Sequence, residues 1–445
     1  MAMEGHDHTL SSLYDLVREI AKSDKEDEKK TTSTMVYLSF TLVVLSASLA
    51  IGAYNDVPHR RSEIPAQAQF IDQKAFNVLP SVLPPFEFNL TNVFVPPGYT
   101  LDALQEKPFH IYDDEFYDVI GPNPTLTLIA SSDTNPLFHE AVVWYPPTNE
   151  MFFVQSAGAP ASGTGLNKSA IIQKISLDEA EAVSTKRNAT GSVKVHVVNS
   201  NPVVLNPNGA TNYKGQILFA AEGQGAYKTS ELIIMNPREP YNTTVLLNNY
   251  FGRQFNSLND ISINPRNKDV YFTDPIYGRL QDFRPVEGLP HQVYRYNDRT
   301  GAVTVVADGL NQPNGIAFSP SGSYAYIADT GAQGVFWGIN ATSPSTIYRY
   351  DVAKDGTFSN RKTFAYTPTG VPDGIHVDTK GRLYAGCGDG VQVYNPSGTL
   401  IGKIFLGETS ANFNFAGDGG MVICAETHLF YAKIAATGGA YMGDS

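Results

Sequence analysis

Short alternating runs of apolar and polar residues, separated by clusters of Gly, Pro, Asn and Asp, follow one another from about residue 122 to the end of the chain. Runs of this length with a period of two predict β-strands joined by turns. No long segment has the period of an amphipathic helix, and the best candidate for a short one is SLDEAEAVSTK, residues 176–186. The pattern therefore predicts an all-β body.

These strands recur as a repeated unit. Each copy has a polar first residue, an alternating strand, a turn and a second apolar strand, as in NDISINPRNKDVYFTDP and NGIAFSPSGSYAYIADT. A sheet of about four strands buries both faces only by stacking on neighbours, as the blades of a β-propeller do. Six copies predict a six-bladed propeller over residues 122–445, with the ring-closing strand within residues 122–137. The six polar first residues are Glu140, Asn208, Asn259, Asn314, Asp373 and Asn412.

The first 121 residues differ from this pattern. Residues 1–34 form a polar extension, residues 35–54 (MVYLSFTLVVLSASLAIGAY) carry no charge, and residues 55–121 are Pro-rich and predict an arm packed on the propeller. An apolar helix of 20 residues is long enough to span a bilayer. Two interpretations stay open: an anchor that leaves the propeller outside, or a signal peptide with Met35 as the true start. Both predict the secretory pathway, with a secreted or membrane-anchored product.

Composition adds a few constraints. The net charge is −12, and no stripe of Lys and Arg interleaved with aromatic residues occurs, which argues against a nucleic-acid partner. Cys387 and Cys424 stand in no metal-finger spacing, so they either form one disulfide or are small buried side chains. The oligomeric state stays open. Five sequons agree with a secreted glycoprotein: Asn89, Asn167, Asn188, Asn242 and Asn340.

The polar residue that begins each unit has a consequence for function. In a propeller the first strand of each blade lines the central channel, so the six first residues are expected to form a ring at one mouth of the channel. This ring contains two carboxylates, four amides and no Lys or Arg. Such oxygen donors suit a hard cation, above all Ca²⁺. A single Asn-Gly or Asp-Gly is an ordinary turn signal, whereas six equivalent positions predict a site.

Several stretches resemble one family. HEAVVWYPP, NNYFGRQFNSLND, YFTDPIYG, PNGIAFSP and PDGIHVDTKGRLYAGCGDGVQVYNPSG are similar to the six-bladed, calcium-dependent lactonases of the gluconolactonase/senescence-marker-protein family. Within it, the similarity is strongest to the fungal lactonohydrolases that open aldonolactones and D-pantolactone. The resemblance covers about residues 70–445. It implies that Ca²⁺ is held by Glu140, Asn259, Asn314 and Asp373.

The resemblance also implies catalytic roles. Asp373 is expected to be both a metal ligand and the acceptor of a water proton, beside Glu140 as the second catalytic carboxylate. His139 precedes Glu140 in the chain, and we expect it to be a partner of that ligand or a proton shuttle.

A further set of residues is expected to contact substrate. Ser257 stands where animal members of the family often carry an Arg, so the substrate preference of those members is not carried over. Asp274 also fits a turn, Tyr277 also fits inter-blade core, and strand alternation directs His376 away from Asp373 unless a bulge intervenes. The full set is Asn208, Ser257, Asp274, Tyr277, His376 and Asn412.

Three functions stay open. The first is a Ca²⁺-dependent lactonase that hydrolyses aldonolactones or similar hydroxy-acid lactones, with one catalytic Ca²⁺ that other divalent cations can replace and a small-molecule lactone as its partner. The second is a paraoxonase-like esterase for aryl esters or larger lactones, and the third is a non-enzymatic calcium-binding propeller. The chain contains no GxSxG elbow, HExxH pair or P-loop, so serine-hydrolase, zinc-protease and nucleotide functions have no support.

Overall fold

The computed structural model describes residues 63–186, 193–417 and 419–439. The predicted polar extension, the apolar segment 35–54 and the sequon at Asn188 lie outside these ranges. Within them, no helix combines the length and the apolar character needed to cross a membrane. The other four sequon asparagines have exposed side chains.

Six sheets make up the described body, and each is one blade. Three strands come before the first repeat: β1 (Ala68–Phe70), β2 (Phe109–Ile111) and β3 (Thr125–Ser131). Blade 1 contains β4 (Glu140–Tyr145), β5 (Glu150–Val154), β6 (Ile172–Ser176) and β7 (His196–Val198). Blade 2 contains β8 (Pro207–Tyr213), β9 (Gln216–Ala221), β10 (Glu231–Met235) and β11 (Thr243–Leu247). Blade 3 contains β12 (Ile261–Ile263), β13 (Val270–Asp274), β14 (Gln292–Asn297) and β15 (Ala302–Ala307).

The remaining blades repeat this order. Blade 4 contains β16 (Pro313–Phe318), β17 (Tyr324–Asp329), β18 (Thr346–Val352) and β19 (Phe358–Tyr366). Blade 5 contains β20 (Ile375–Val377), β21 (Leu383–Cys387), β22 (Gly390–Tyr394) and β23 (Leu400–Phe405). Blade 6 contains β24 (Asn412–Ala416), β25 (Gly420–Ala425) and β26 (His428–Lys433).

The ring is closed by β3. This strand pairs antiparallel with β26 and so completes blade 6, with Leu128 opposite Phe430. The six-bladed propeller and the ring-closing strand predicted within residues 122–137 are thereby confirmed.

The Pro-rich segment contains more regular structure than its composition indicates. β2 pairs antiparallel with β23, and β1 pairs in parallel with β2, so blade 5 has six strands. The described helices are α1 (Leu101–Glu106), α2 (Tyr117–Ile120), α3 (Leu177–Ser184) and α4 (Tyr277–Leu280). Short 3-10 turns occupy Gln73–Phe76, Pro85–Glu87, Asp114–Phe116, Pro146–Thr148, Pro160–Ser162 and Val335–Trp337. The predicted short helix at 176–186 corresponds to α3, whose first turn is capped by the Ser176 side chain.

The apolar core lies between neighbouring blades rather than in one centre. Between blades 1 and 2, for example, Val143 and Phe152 pack against Ile217 and Phe219. Comparable clusters fill each of the other five contacts around the ring. Since both faces of every sheet are covered in this way, the axis is left to polar residues.

The two cysteines belong to different inter-blade clusters. Cys387 packs between blades 4 and 5, and Cys424 packs between blades 6 and 1. Both are free, buried thiols. Of the two alternatives for Cys387 and Cys424, the structure therefore supports small buried side chains and not a disulfide.

His110 provides a test of how the arm is attached. Its ring, 2% exposed, stacks on Phe405 of blade 5 with 4.7 Å between centroids, and Nε2 donates a 3.0 Å hydrogen bond to the carbonyl of Leu104. Burial lowers the pKa of His110 to about 4, although the Leu104 hydrogen bond opposes this. The unfolded chain therefore binds the proton more readily, and the stability contributed by neutral His110 is lost as pH falls below about 6.5.

We expect this loss to be about 1.4 kcal/mol of unfolding free energy between pH 7.5 and 5.5. The measurement is urea denaturation of wild type and His110→Gln at both pH values. The glutamine keeps a donor for the Leu104 carbonyl but does not titrate, so the pH dependence should be weaker by that amount. An identical dependence in the two proteins would contradict the assignment.

Candidate active site

The six ring residues lie where the innermost strands begin, at one mouth of the channel. Five are buried, and Asp373 is half-buried. Their positions follow the repeat closely: Glu140 and Asn412 begin β4 and β24, Asn208 and Asn314 are second in β8 and β16, and Asn259 and Asp373 lie two residues before β12 and β20.

The glycines of the Asn-Gly and Asp-Gly pairs bring neighbouring blades together. A side chain at Gly209 would come within 2.3 Å of the carbonyl oxygen of Asn259, and one at Gly315 within 2.3 Å of that of Asp373. The Gly209 N–H donates a 2.6 Å hydrogen bond to the Asn259 carbonyl. These glycines do not form tight turns, because they lie within or beside the inner strands. They allow each ring residue to approach the next.

Several ring oxygens have no hydrogen-bond partner among the described residues. The side-chain Oδ1 atoms of Asn208, Asn259 and Asp373 are buried and accept no hydrogen bond from the described residues. Buried polar atoms are normally paired, so each such oxygen needs a ligand, an ion or water. Elsewhere in the ring Asn412 Nδ2 donates to Glu140 Oε2 at 2.5 Å. This contact joins the last blade to the first.

Acidic side chains are concentrated in the ring and beside it. Burial, and then the charge of Asp373, raise the pKa of Glu140 well above its usual value. Burial raises the pKa of Asp373 to about 6, although His139 opposes the shift. Burial likewise raises the pKa of Asp260 to about 7, although both of its oxygens accept backbone N–H groups. A bound cation would favour the ionised form of all three.

The donor set fits a hard cation. Among the described residues no group of three or more His, Cys, Asp or Glu side chains is placed to hold a metal ion. A cation here must therefore draw on amide oxygens together with the two carboxylates. Asn259 and Asp373 offer unpartnered oxygens for this purpose, and carboxylate and amide oxygens are the ligands that Ca²⁺ prefers.

His139 has a partner that sequence reasoning missed. Its Nδ1 lies 2.8 Å from Oε1 of Glu426, the residue after β25. Burial favours neutral His139, but the charges of Glu426, Glu140 and Asp373 outweigh it and raise the pKa of His139 to about 10. His139 is thus a proton donor fixed in orientation by Glu426, and a bound cation would lower its pKa.

Ser257, which is predicted to contact substrate, takes part in two hydrogen bonds within the protein. Its Oγ accepts the backbone N–H of Gly278 at 2.9 Å and donates its proton to Oε1 of Glu222 at 2.6 Å. Glu222 is fully buried, its Oε2 accepts no hydrogen bond from the part of the chain that the structure describes, and burial raises its pKa to about 7. The sequence reasoning did not select Glu222, which follows the second strand of blade 2.

Asp274 also has its oxygens occupied. They accept the backbone N–H groups of Asn256 and Ser257, at 3.1 and 2.9 Å. These bonds hold the loop that leads to Asn259, so Asp274 helps to position that ring residue. The neighbouring Arg284 donates to the carbonyls of Asn256 and of the loop after Glu222, and so it ties two site loops together.

Tyr277 and His376 contact different members of the ring. The Tyr277 hydroxyl, on α4, bonds Thr330 and is within hydrogen-bond reach of Asn314. His376 lies in β20 and lines a channel cavity of about 70 Å³ together with Asp260. Its Nε2 is 3.4 Å from Asn412 Oδ1, and burial lowers its pKa to about 4. Among the described residues, the hydrogen bond that links His376 to the ring is the one with Asn412.

Comparison with known sequences decides the family. Residues 179–427, more than half of the chain, match the SMP-30/Gluconolactonase/LRE-like region. The chain belongs to this family. The matched range includes five of the six ring residues.

Individual relatives are lactone hydrolases by name. Lactonohydrolase oryL of Aspergillus oryzae is 29% identical over 338 residues, which cover 72% of this chain and 72% of the relative. Lactonohydrolase oryH of the same organism is 27% identical over 372 residues, with coverage of 67% and 74%. The gluconolactonase of Zymomonas mobilis is 28% identical over 197 residues, with coverage of 42% and 52%. The predicted family is thus confirmed, and the predicted enzyme class, a hydrolase of lactone ester bonds, is the one these names state.

Solved structures agree on the fold. A gluconolactonase from Xanthomonas campestris superposes with a TM-score of 0.56 at 22% identity, over 74% of this chain and 95% of that structure. At this sequence identity the superposition shows that the two proteins share the propeller fold, and nothing more specific.

Proposed function

We propose that the protein is a Ca²⁺-dependent lactonase that hydrolyses aldonolactones or similar hydroxy-acid lactones. The observation that carries the proposal is the ring. Within the described residues, the buried Oδ1 atoms of Asn208, Asn259 and Asp373 have no hydrogen-bond partner. The two ring carboxylates, Glu140 and Asp373, have raised pKa values. The expected ligands are Glu140, Asn259, Asn314 and Asp373. When bound, the cation supplies electrophilic stabilisation for negative charge that develops on the lactone carbonyl.

The chain's own residues supply proton transfer and orientation. Asp373 is the acceptor for the proton of the attacking water, because one of its oxygens is unpartnered at the mouth of the channel. Glu140 is held in place by the Asn412 amide. His139, oriented by Glu426, is available to donate a proton to the leaving alkoxide.

Two other predicted contacts are retained in the proposal. The unpartnered Oδ1 of Asn208 is an acceptor for a substrate hydroxyl, and the Tyr277 ring forms a wall beside Asn314. We further propose, from the apolar segment 35–54 and the sequons, that the propeller enters the secretory pathway.

Removal of the cation tests the proposal. We expect EDTA treatment followed by gel filtration to abolish hydrolysis of γ- and δ-aldonolactones, and added Ca²⁺ to restore it. Ca²⁺ should also raise the melting temperature, because a ligand that binds only the folded state stabilises it. Hydrolysis is followed by pH-stat titration and melting by calorimetry.

The other outcomes separate the alternatives. Full activity after EDTA treatment would contradict the metal dependence. A melting temperature that responds to Ca²⁺ without turnover of any lactone would favour the calcium-binding propeller. Faster hydrolysis of phenyl acetate than of every aldonolactone would favour the paraoxonase-like esterase.

A further inference from the structure

Glu222 is a buried carboxylate that the proposed proton transfers do not use. It directly follows β9, so it lies in the same blade as Asn208, and its charge acts on His139 at the mouth of the channel. It is 0% exposed, and its Oε2 accepts no hydrogen bond from the described residues. A carboxylate in such a place is costly unless a donor reaches it.

The orientation of Glu222 is fixed by Ser257. The Ser257 hydroxyl has a single proton, and its oxygen already accepts the Gly278 N–H, so that proton is directed to Glu222 Oε1. A side chain at position 278 would come within 2.9 Å of Ser257 Oγ, so only glycine permits the contact. One oxygen of Glu222 is therefore held, while the other has no hydrogen-bond partner among the described residues.

Arg284, the nearby cation, does not satisfy the free oxygen. Its guanidinium donates to the carbonyls of Asn256, Gly225, Lys228 and Phe255 and to Gln254. Its charge acts on Glu222 from a distance without forming a hydrogen bond.

Two more unpartnered acceptors accompany Glu222. Gln155 follows the second strand of blade 1, as Glu222 follows that of blade 2. Its Nε2 donates to Asn135, and its buried Oε1 has no partner in the ranges that the structure describes. Asn208 Oδ1 is the third such oxygen. This side of the mouth thus presents acceptors, and the ligand group that complements an acceptor is a hydroxyl donor.

We propose that Glu222, oriented by Ser257, is a specificity-determining residue that accepts a hydrogen bond from a hydroxyl of the lactone. The inference deepens the proposed lactonase function and rests on it for the identity of the substrate. The favoured substrates are polyhydroxy lactones whose hydroxyl lies on the side of the channel formed by blades 1 and 2.

The test compares two lactones of one ring size, D-glucono-δ-lactone and unsubstituted δ-valerolactone. We expect Glu222→Gln to lower kcat/KM for the hydroxylated lactone about 10- to 100-fold, mainly through KM, and to change that for δ-valerolactone less than threefold. Ser257→Ala should lower kcat/KM for the hydroxylated lactone about tenfold, because Glu222 loses the hydrogen bond that orients it. Glu231→Gln, an identical change on β10 of the same blade, is the matched control and should leave both values unchanged.

A second measurement does not depend on turnover. Wild type should bind 1,5-anhydro-D-glucitol, which has the hydroxyls of the sugar lactone without its carbonyl, and Glu222→Gln should bind it at least tenfold more weakly in calorimetric titration. If wild type hydrolyses neither lactone, the lactonase function fails, yet this binding difference would still support the hydroxyl subsite.

Other results would overturn the inference while leaving the function intact. An equal loss on both lactones in Glu222→Gln would make Glu222 part of the catalytic apparatus rather than a selector. No loss on either lactone, together with unchanged anhydroglucitol binding, would show that Oε2 faces only water.

Discussion

Replacing Asp373 with Asn is expected to lower kcat/KM for an aldonolactone about a thousandfold or more. Asn has the same shape, so the contacts of the ring backbone remain. The change removes one of the two ring carboxylates, which is both the proposed proton acceptor and a proposed ligand of the cation. Steady-state hydrolysis and calorimetric Ca²⁺ titration measure the two effects separately.

The control is Asp102→Asn, the same substitution at an exposed position in the first turn of α1. It should have wild-type activity and Ca²⁺ affinity. Wild-type turnover in Asp373→Asn would move the proton acceptor elsewhere in the ring, with Glu140 the next candidate.

Replacing Arg284 with Met is expected to lower the free energy of unfolding by about 3–5 kcal/mol. The side chain is 7% exposed and donates hydrogen bonds to carbonyls in two loops, residues 225–228 and 254–256. Its loss would leave those carbonyls without donors and the buried Asp274 and Glu222 without a compensating charge.

Urea denaturation measures the effect, and Arg299→Met, at an exposed position, is the control. Arg284→Lys should lie between wild type and Arg284→Met, because an ammonium group keeps the charge but does not span both loops. A stability within about 0.5 kcal/mol of wild type in Arg284→Met would contradict the role of Arg284 as a tie between the loops.

The ring was predictable because it follows the repeat. Each inner strand begins with a residue of the same chemical kind at an equivalent position, so aligning the copies places Glu140, Asn314 and Asp373 together without a structure. The role of the following glycines was not predictable. A glycine that permits a turn and one that permits a neighbouring blade to approach look the same in sequence, and only the contact of Gly315 with Asp373 distinguishes them.

Glu222 and Glu426 were missed for a related reason. Both follow the second strand of a blade, where the copies carry different residues, such as Gln155 in blade 1 and Thr330 in blade 4. Each follows an apolar run that is typical of a buried strand, and the residue at this position differs from blade to blade. The repeat therefore gave no signal for a functional side chain there. Their partners, Ser257 and His139, come from neighbouring blades and are not near them in sequence.

Strands of the arm were missed because of their length and their partners. β1 and β2 have three residues each, too few to show alternation, and Phe109 pairs with Ile404 near the other end of the chain. A pairing of this kind depends on tertiary contact rather than on local preference.

The hydrogen bond between Asn412 and Glu140 joins residues 272 positions apart, and β3 meets its partner β26 only at residues 428–433. During synthesis the first blade is made long before the last, so the two ends of the ring remain separate on the growing chain. Its acidic groups converge only when the sixth blade docks on the first. The cation site proposed at this mouth would therefore be complete only after blade 6 has been synthesised and has docked on blade 1.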